Sequence, residues 1–348
     1  MENFDLAPDY RISRVIRGGW QLAGGHGAID RAMAIDDMAA FAEAGIVTFD
    51  CADIYTGVEE MIGAFRADHA RRCGRAALER IHVHTKCVPD LAILARIRKS
   101  DIAAIIDRSL KRLGMERLDL VQLHWWDYEQ GACVDAALWL DELRQAGKIR
   151  FVGGTNFDTA HVTEILAAGV PLRTLQIQYS VLDQRPENGL IALARRHGIE
   201  LLCYGTVAGG FLGERWLGAA EPEGPLENRS LTKYKLIIDD FGGWTLFQDL
   251  LRVLFDIAAR QGTDIATVAS RYVLDQSGVA AVIVGARNRA HLAGNLAIGA
   301  LKLAIEDRAA IDAVLAKRQG PKGDVYTLER DRTGRHGQIM KYNLNSAN

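Results

Sequence analysis

Four side chains of the types used for proton transfer follow short apolar segments of the chain. Asp50 and Tyr55 lie in TFDCADIYTGVEEMIGAF, which begins at Thr48, while Lys86 ends IHVHTK and His124 ends LDLVQLH. A free tyrosine has a pKa near ~10, and a neighbouring ammonium lowers that pKa by stabilising the phenolate. A carboxylate would keep the lysine charged, and the histidine could hydrogen-bond a substrate oxygen. Together they could protonate an oxyanion that develops during carbonyl reduction, with the hydride supplied by a nicotinamide cofactor.

The elements that position these side chains are eight short, apolar segments that alternate with helical patterns. A repeated strand–helix order predicts a parallel sheet with right-handed crossovers, and eight units favour closure into a (β/α)8 TIM barrel of the α/β class. A doubly wound sheet is the alternative, but it would need a glycine fingerprint after its first strand, and no GxGxxG occurs. The predicted strands are VIRGG, GIVTFD, IHVHTK, LDLVQLH, IRFVGGT, LRTLQIQYS, GIELLCYG and VAAVIVGA, which begin at Val15, Gly45, Ile81, Leu118, Ile149, Leu172, Gly198 and Val279.

Glycines mark the ends of three helical patterns between these strands. DIAAIIDRSLKRLG begins at Asp101, carries its isoleucines and leucines on one face and ends at Gly114. The patterns that end at Gly147 and Gly198 stop in the same way. Glycine just after the last periodic residue is a helix-stop signal, so we expect helices at all three places.

The chain is predicted to be a single domain over residues 1–348. The barrel should occupy about residues 11–317, and a polar C-terminal tail about residues 318–348. Residues from Phe211 to about Trp244 are rich in glycine, proline and charge, so we expect a long loop or lid there. No linker divides the chain.

Composition excludes several classes of partner. The 348 residues carry a net charge of −2, which argues against nucleic acid and anionic membranes as partners. Five scattered cysteines without a CxxC motif indicate reduced thiols, and no apolar segment approaches the ~18 residues of a membrane span. We therefore expect a cytoplasmic protein. His82 and His84 share one face of a strand, but no third ligand is near them in the sequence, so no metal site is predicted.

An ordered set of motifs carries a family resemblance. FDCADIY, HTK, DLVQLHWWD, GGTNF, QIQYS and VGARNRAHLAGNL follow one another at suitable spacing, and with them the chain resembles an aldo-keto reductase from about Arg11 to Ala300. The resemblance implies a barrel that binds NADP(H) in an extended form without a Rossmann motif. It makes Tyr55 the general acid, with Lys86 and Asp50 tuning it, and His124 the residue that orients the carbonyl.

The same resemblance assigns residues to the cofactor. Arginines suit a 2′-phosphate, which favours NADP(H) over NAD(H). Three departures from the family pattern bear on this binding: Cys51, the YGTVAGGFL turn without its usual proline, and Gly294 where a glutamate often contacts adenine. The residues matched to the nicotinamide are Gly19, Trp20, Asp50, Thr155, Asn156 and Gln178, with Tyr204 stacking on it. Those matched to the pyrophosphate and adenosine are Gly205, Thr206, Val207, Ala208, Gly209, Phe211, Arg229, Gly285, Arg287, His291 and Asn295.

Two functional classes fit this reading. The first is an NADP(H)-dependent oxidoreductase that reversibly reduces an aldehyde or ketone to an alcohol. The second is a nucleotide-sensing subunit resembling the β-subunits of potassium channels. The predicted substrate pocket consists of Trp20, Tyr55, His124 and Trp125, and its tryptophans favour an aromatic, ring-shaped or sugar-like compound. The tail segment from Gly320 would either fold over this pocket or bind a neighbouring subunit, so a homo-oligomer remains open.

Overall fold

Eight parallel strands close into a barrel in the computed structural model, which describes residues 1–25 and 27–345. Each strand pairs with its neighbour in chain order, and the last pairs with the first, so all eight predicted strands and the (β/α)8 architecture are confirmed. The barrel strands are β3 (Val15–Gly18), β4 (Thr48–Asp50), β5 (His82–Cys87), β6 (Leu118–Leu123), β7 (Ile149–Thr155), β8 (Leu172–Gln178), β9 (Glu200–Tyr204) and β10 (Val279–Gly285).

A hairpin that the sequence did not predict packs against the barrel interior. It consists of antiparallel strands β1 (Asn3–Ala7) and β2 (Tyr10–Ser13). Leu6 and Ile12 of the hairpin form one buried cluster with Ile16, Leu120 and Leu202 of the barrel strands. The hairpin thereby shields apolar side chains at the end of the barrel where the strands begin, opposite the end where active sites of this architecture lie.

Helices surround the barrel, and most of them bury one face toward it, whereas α3 has no buried residue and α13 lies in the tail. The expected stops hold: Gly114 and Gly198 follow their helices with φ of 60° and 64°, the left-handed region that glycine adopts without strain. The helices are α1 (Arg31–Glu43), α2 (Val58–Cys73), α3 (Arg75–Leu78), α4 (Lys99–Leu113), α5 (Cys133–Gln145), α6 (Thr159–Ala167), α7 (Leu190–His197), α8 (Arg229–Phe241), α9 (Gly243–Gln261), α10 (Ile265–Leu274), α11 (Leu292–Ala300), α12 (Ile305–Leu315) and α13 (Thr327–Arg330).

The segment predicted as a long loop or lid is partly helical. Residues 211–228 contain one short 3₁₀ helix, Glu214–Trp216, but α8 occupies most of the remainder of the segment. Asn228 begins α8 by accepting a hydrogen bond from the backbone of Leu231, and Leu231, Tyr234 and Ile238 face the core. The helical spacing of these apolar residues is hidden in the sequence by the charges between them.

The C-terminal tail crosses the end of the barrel where the strands finish. Its residues 318–345 contain α13 and a 3₁₀ helix at Gly337–Ile339, and residues 346–348 of the predicted tail lie outside the described part. The tail is fastened to the barrel loops by hydrogen bonds from Arg330 Nη2 to the Trp125 carbonyl (2.9 Å) and from the Leu91 amide to the Tyr342 carbonyl (2.9 Å). Of the two placements predicted for the tail, the chain adopts the one over its own barrel.

No helix within residues 1–25 and 27–345 combines the length and apolar character needed to cross a membrane.

Candidate active site

Asp50 and Lys86 form a buried ion pair at the ends of neighbouring strands. Asp50 is the last residue of β4, and Lys86 lies one residue before the end of β5. Lys86 Nζ lies 2.9 and 2.8 Å from the two carboxylate oxygens of Asp50 and 2.8 Å from the Cys51 carbonyl. Burial alone would lower the pKa of Lys86, but the carboxylate of Asp50 outweighs burial, so the pKa is raised above its ordinary value. Lys86 is therefore a permanent positive charge.

Tyr55 lies beside this charge. The turn after β4 carries it, and Lys86 Nζ lies 5.1 Å from the centre of its ring. Burial raises the pKa of Tyr55, while Lys86 lowers it; burial prevails, and the net pKa is above the ordinary value of 10. The sequence predicted that Lys86 lowers this pKa; Lys86 does lower it, but burial has the larger effect, so the net pKa is raised and not lowered. The phenol is thus fully protonated at neutral pH and able to donate a proton.

His124 presents one unpaired ring nitrogen. Its Nδ1 lies 3.2 Å from the Thr155 carbonyl, which can only accept, so Nδ1 carries the proton. Nε2 is buried and has no hydrogen-bond partner among the described residues. Burial lowers the pKa of His124 to about 3, so the ring is neutral and Nε2 presents a lone pair. Trp126 holds the ring edge-on, with 4.2 Å between ring centres.

These four side chains meet in a cavity of about 270 Å³ at the mouth of the barrel. Its wall consists of strand ends, the loop after β9, the first turns of α8 and the tail. The structure thus brings most of the predicted site together. The predicted residues that line the cavity are Trp20, Asp50, Tyr55, Lys86, His124, Thr155, Asn156, Tyr204, Gly205, Val207, Gly209, Arg229 and Gly285.

Gln176, and not the predicted Gln178, lines the cavity. Both residues lie on the inner face of β8, but the Gln178 amide donates to Asp183 at 2.6 Å and does not reach the cavity. Gln176 lines the cavity and donates to Asp50 Oδ1 at 2.6 Å. Residues two apart share a face, and the sequence does not show which of them is held elsewhere. The contact between Gln178 and the cofactor stays a prediction, while the structure places Gln176 in the cavity wall.

Trp125, which was predicted for the substrate pocket, lies outside the cavity. It is fully buried away from the cavity, and its indole donates to the Gln130 carbonyl at 3.3 Å. Trp126 lines the cavity in its place and packs against His124. The two tryptophans follow the end of β6, where the alternation of a strand no longer predicts side-chain direction.

Several other predicted cofactor residues lie behind or beyond the cavity. Gly19 supports Asp50 from behind, since a β-carbon there would come within 2.8 Å of the Asp50 carbonyl. Thr206 is buried with its hydroxyl 2.9 Å from that of Ser270, and Ala208 is fully buried. Phe211 packs on Trp216, with 4.7 Å between ring centres. None of these four residues lines the cavity.

The loop and helix after β10 form a separate, basic area. Arg287 is exposed and donates to the Ala28 carbonyl at 3.2 Å, whereas Arg289 forms an ion pair with Asp37 at 2.7 Å. His291 is exposed, and Asn295 is buried with an amide nitrogen that has no partner among the described residues. The residues matched to the adenosine end thus lie outside the cavity. They follow Gly285, the last residue of β10, which lines the cavity.

Sequence reasoning predicted Arg229 and one placement of the tail over the pocket, but it did not single out the other cavity residues of α8 and the tail. Lys233 and Tyr234 lie on the helix that was predicted as a loop, and Tyr326, Met340 and Leu344 come from the tail. The family motifs end before the tail, so only its polar, glycine-containing composition was visible. No signal in the sequence would have selected these residues individually.

The cavity fits a nicotinamide nucleotide. Polar side chains of Thr155, Asn156 and Gln176 lie on one wall, and the ring of Tyr204 lies on another. The backbone at Gly205 has a φ of 83°, and a β-carbon there would come within 2.6 Å of the Tyr234 hydroxyl, so only glycine passes through this part of the wall. Within the described part of the chain, no group of three or more histidine, cysteine or acidic residues could hold a metal ion.

The chain is similar to known proteins over most of its length. Residues 14–316 match the model of the aldo/keto reductase family. The NADH-specific methylglyoxal reductase of Escherichia coli (strain K12) is 27% identical over 318 residues, covering 86% of this chain and 93% of that protein. The aldo-keto reductase YhdN of Bacillus subtilis (strain 168) is 27% identical over 317 residues, covering 87% and 90%. The structure of a glycerol dehydrogenase from Gluconobacter oxydans superimposes with a TM-score of 0.74 at 25% identity, covering 90% of this chain and 95% of that one.

Proposed function

Since this chain belongs to the aldo/keto reductase family, as its motifs predicted and the match over residues 14–316 confirms, we propose that it is an NADP(H)-dependent oxidoreductase. It reduces an aldehyde or ketone to an alcohol, and the reaction is reversible. The observation that carries this proposal is one cavity that contains a protonated Tyr55 phenol, a fixed Lys86–Asp50 pair and an unpaired His124 nitrogen.

The chemistry divides among these side chains. A nicotinamide cofactor, when bound, supplies or accepts the hydride. Tyr55 donates its proton to the carbonyl oxygen as negative charge develops there, and Lys86 stabilises the phenolate that remains. Asp50 holds the ammonium in place through two short hydrogen bonds. These three residues therefore supply the acid and the charge that the transition state needs.

His124 acts on the alcohol side of the reaction. With the proton on Nδ1, its Nε2 accepts a hydrogen bond from the hydroxyl of a bound alcohol while Tyr55 is protonated and donates to the same oxygen. For oxidation that hydroxyl hydrogen turns to the Tyr55 phenolate, which takes the proton. A carbonyl oxygen has no hydrogen to offer to Nε2. The sequence predicted that His124 orients the carbonyl; in this tautomer it orients the same oxygen once that oxygen is a hydroxyl. Trp126 and Tyr326 hold the ring edge-on and exclude water around it.

Residues of the cavity and the basic area would hold the cofactor. Thr155, Asn156 and Gln176 offer hydrogen bonds to the nicotinamide carboxamide, and the ring of Tyr204 offers a stacking face. Arg229 suits the pyrophosphate, and Arg287 suits a 2′-phosphate. One relative is named as NADH-specific, so membership of the family does not by itself select NADP(H) over NAD(H). The proposal of NADP(H) therefore rests on Arg287.

A binding titration tests the cofactor preference. Quenching of tryptophan fluorescence should report NADPH binding, because Trp20 lines the cavity. Arg287→Ala is expected to weaken NADPH binding about tenfold, the value of one charge-assisted contact, and to leave NADH binding unchanged. Arg252→Ala, which removes an arginine paired with Asp249 on the surface, is the control. Equal affinity for both cofactors that Arg287→Ala does not alter would contradict the NADP(H) assignment.

The pH dependence of the reaction should be simple. Because the pKa of His124 is lowered to about 3 and that of Tyr55 is raised above 10, neither group titrates between these values. Reduction is expected to fall only as pH rises through the pKa of Tyr55, because the phenol is the proton donor. Alcohol oxidation should rise over the same range, because it needs the phenolate. The check is kcat/KM against pH in both directions; an acidic limb near 6.5 that disappears in His124→Gln would refute this assignment.

The regulatory alternative receives no support from these relatives, whose names denote reductases. Turnover of a panel of carbonyl compounds with NADPH decides between the two classes. A nucleotide-sensing subunit would retain bound nucleotide and show little turnover on every compound.

A further inference from the structure

The cavity wall carries an excess of positive charge. Among the described residues that line it, Asp50 is the one acid, and Lys86 neutralises it. Three more charged side chains line the cavity, and all are cations: Arg229, Lys233 and Lys341. Cations in a confined site raise its affinity for anions, since the local dielectric constant is low and few water molecules screen the charge.

Lys233 is a largely buried cation that lines the cavity, and its ammonium has donor hydrogens available for a further hydrogen bond. Its side chain is 16% exposed, and its ammonium lies 5.2 Å from the ring centre of Tyr204 and 5.6 Å from that of Tyr326. These rings attract the charge but accept no ordinary hydrogen bond. Its nearest carboxylate, Glu329, is 3.9 Å away, beyond hydrogen-bond distance, and already receives two bonds from Arg185.

Burial of Lys233 lowers the pKa of its ammonium, so the charged form is incompletely compensated by the protein. An anion in the cavity would compensate it. Lys341 also lines the cavity, but its side chain is exposed and its charge is screened by water. Lys233 is therefore the stronger site for an anion.

The position of Lys233 is that of a substrate contact. Tyr326 of the tail lies between Lys233 and His124, with its ring centre 5.6 Å from the ammonium and 5.5 Å from the centre of the imidazole ring. One tyrosine ring thus separates Lys233 from the nitrogen that faces the reacting oxygen. Arg229, one helical turn earlier on α8, is directed to the tail at Ile339 and is the residue proposed for the pyrophosphate.

We propose that the substrate is a carbonyl compound, or its alcohol, that carries an anionic group, and that Lys233 binds this group. A carboxylate and a phosphate are both suitable, since a lysine ammonium is a compact charge without a preferred planar partner. The anion would lie at Lys233 while the reacting oxygen lies between Tyr55 and His124. This inference rests on the proposed reductase function and names the class of its substrate.

Matched pairs of substrates test the proposal on the full chain. The pairs are 4-carboxybenzaldehyde with benzaldehyde, and glyceraldehyde 3-phosphate with glyceraldehyde, each reduced with NADPH. Lys233→Met removes the charge at nearly constant length, and Lys233→Arg retains it. Lys235→Met is the control, because Lys235 lies on the same helix and pairs with Asp239 and Glu221. NADPH binding by tryptophan quenching is measured for every variant.

The expected result is a selective effect on anionic substrates. In Lys233→Met, KM for the charged member of at least one pair should rise about tenfold or more, the value of a charge-assisted hydrogen bond. KM for the uncharged member, kcat and NADPH binding should remain nearly unchanged, and Lys233→Arg should restore most of the loss. Which pair responds identifies the anion as a carboxylate or a phosphate.

Three other results would overturn the inference. One is an equal loss for charged and uncharged substrates, which would assign Lys233 a structural role. Another is weakened NADPH binding in Lys233→Met, which would assign it to the cofactor. The third is wild-type turnover with no preference for either charged compound, which overturns this inference alone. If the wild-type protein fails to oxidise NADPH with every carbonyl compound tested, the proposed function is refuted, and this inference is refuted with it.

Discussion

Tyr55→Phe is expected to lower kcat for carbonyl reduction by about 10²- to 10⁴-fold, the usual contribution of a positioned general acid. The substitution removes one oxygen and leaves the ring, which packs on Trp20 with 5.1 Å between ring centres. Cofactor binding should therefore persist. The measurement is NADPH oxidation with a reactive aldehyde, together with the fluorescence titration of NADPH.

Tyr234→Phe is the matched control for this prediction. Tyr234 lines the same cavity, but the ammonium beside it is Lys233, at 5.6 Å from its ring centre, and it has no neighbouring pair like Asp50 and Lys86. Its loss of a hydroxyl should change kcat by no more than about threefold. Full activity of Tyr55→Phe, or equal losses in both variants, would refute the role proposed for Tyr55.

Arg185→Met is expected to destabilise the protein by about 3 to 5 kcal/mol in free energy of unfolding, because it leaves the buried carboxylate of Asp183 without its cation and leaves Glu329 with only Lys233, at 3.9 Å. Arg185 is 2% exposed and lies between Asp183, at 2.7 Å, and Glu329 of the tail, at 2.9 Å. The bond to Glu329 joins the tail to the loop after β8, so the tail should also become sensitive to proteolysis. Urea unfolding and limited proteolysis measure the two effects.

A surface pair provides the contrast for Arg185→Met. Arg252 and Asp249 are an exposed ion pair on α9, and Arg252→Met should change the free energy of unfolding by no more than about 1 kcal/mol. Replacing Arg185 and Glu329 together, with Met and Gln, should recover part of the loss, since one buried charge is then absent. A similar small change in Arg185→Met and Arg252→Met would show that the buried cluster does not hold the tail.

The same cluster predicts how stability depends on pH. Arg185 lowers the pKa of Glu329 from its ordinary value of 4.5 to about 2, despite the opposing effect of burial. A carboxylate with a depressed pKa stabilises the folded state above the unfolded pKa and loses this contribution as pH falls through the folded one. The wild type should lose stability between pH 4.5 and pH 2, and Glu329→Gln should lose less over that range.

The sequence by itself determined the barrel and its four catalytic candidates. The strands are short, largely buried segments, and Asp50, Lys86 and His124 lie at strand ends, with Tyr55 in the turn after β4. In a parallel barrel all such ends meet on one face, so local patterns along the chain sufficed to predict the site. The reversal of sign at Tyr55, where burial outweighs Lys86, was beyond such patterns because burial is a property of the whole fold.

Only the tertiary structure decided which of two equivalent neighbours faces the cavity. Gln176 rather than Gln178, and Trp126 rather than Trp125, line it, because the other member of each pair is held by a loop residue, Asp183 or Gln130. Apart from Arg229, the individual residues that α8 and the tail contribute to the cavity were equally beyond the sequence. Lys233 and the tail are brought to the cavity by contacts between residues far apart in the chain, such as the ion pair of Arg185 and Glu329. Local periodicity in the sequence carries no information about such contacts.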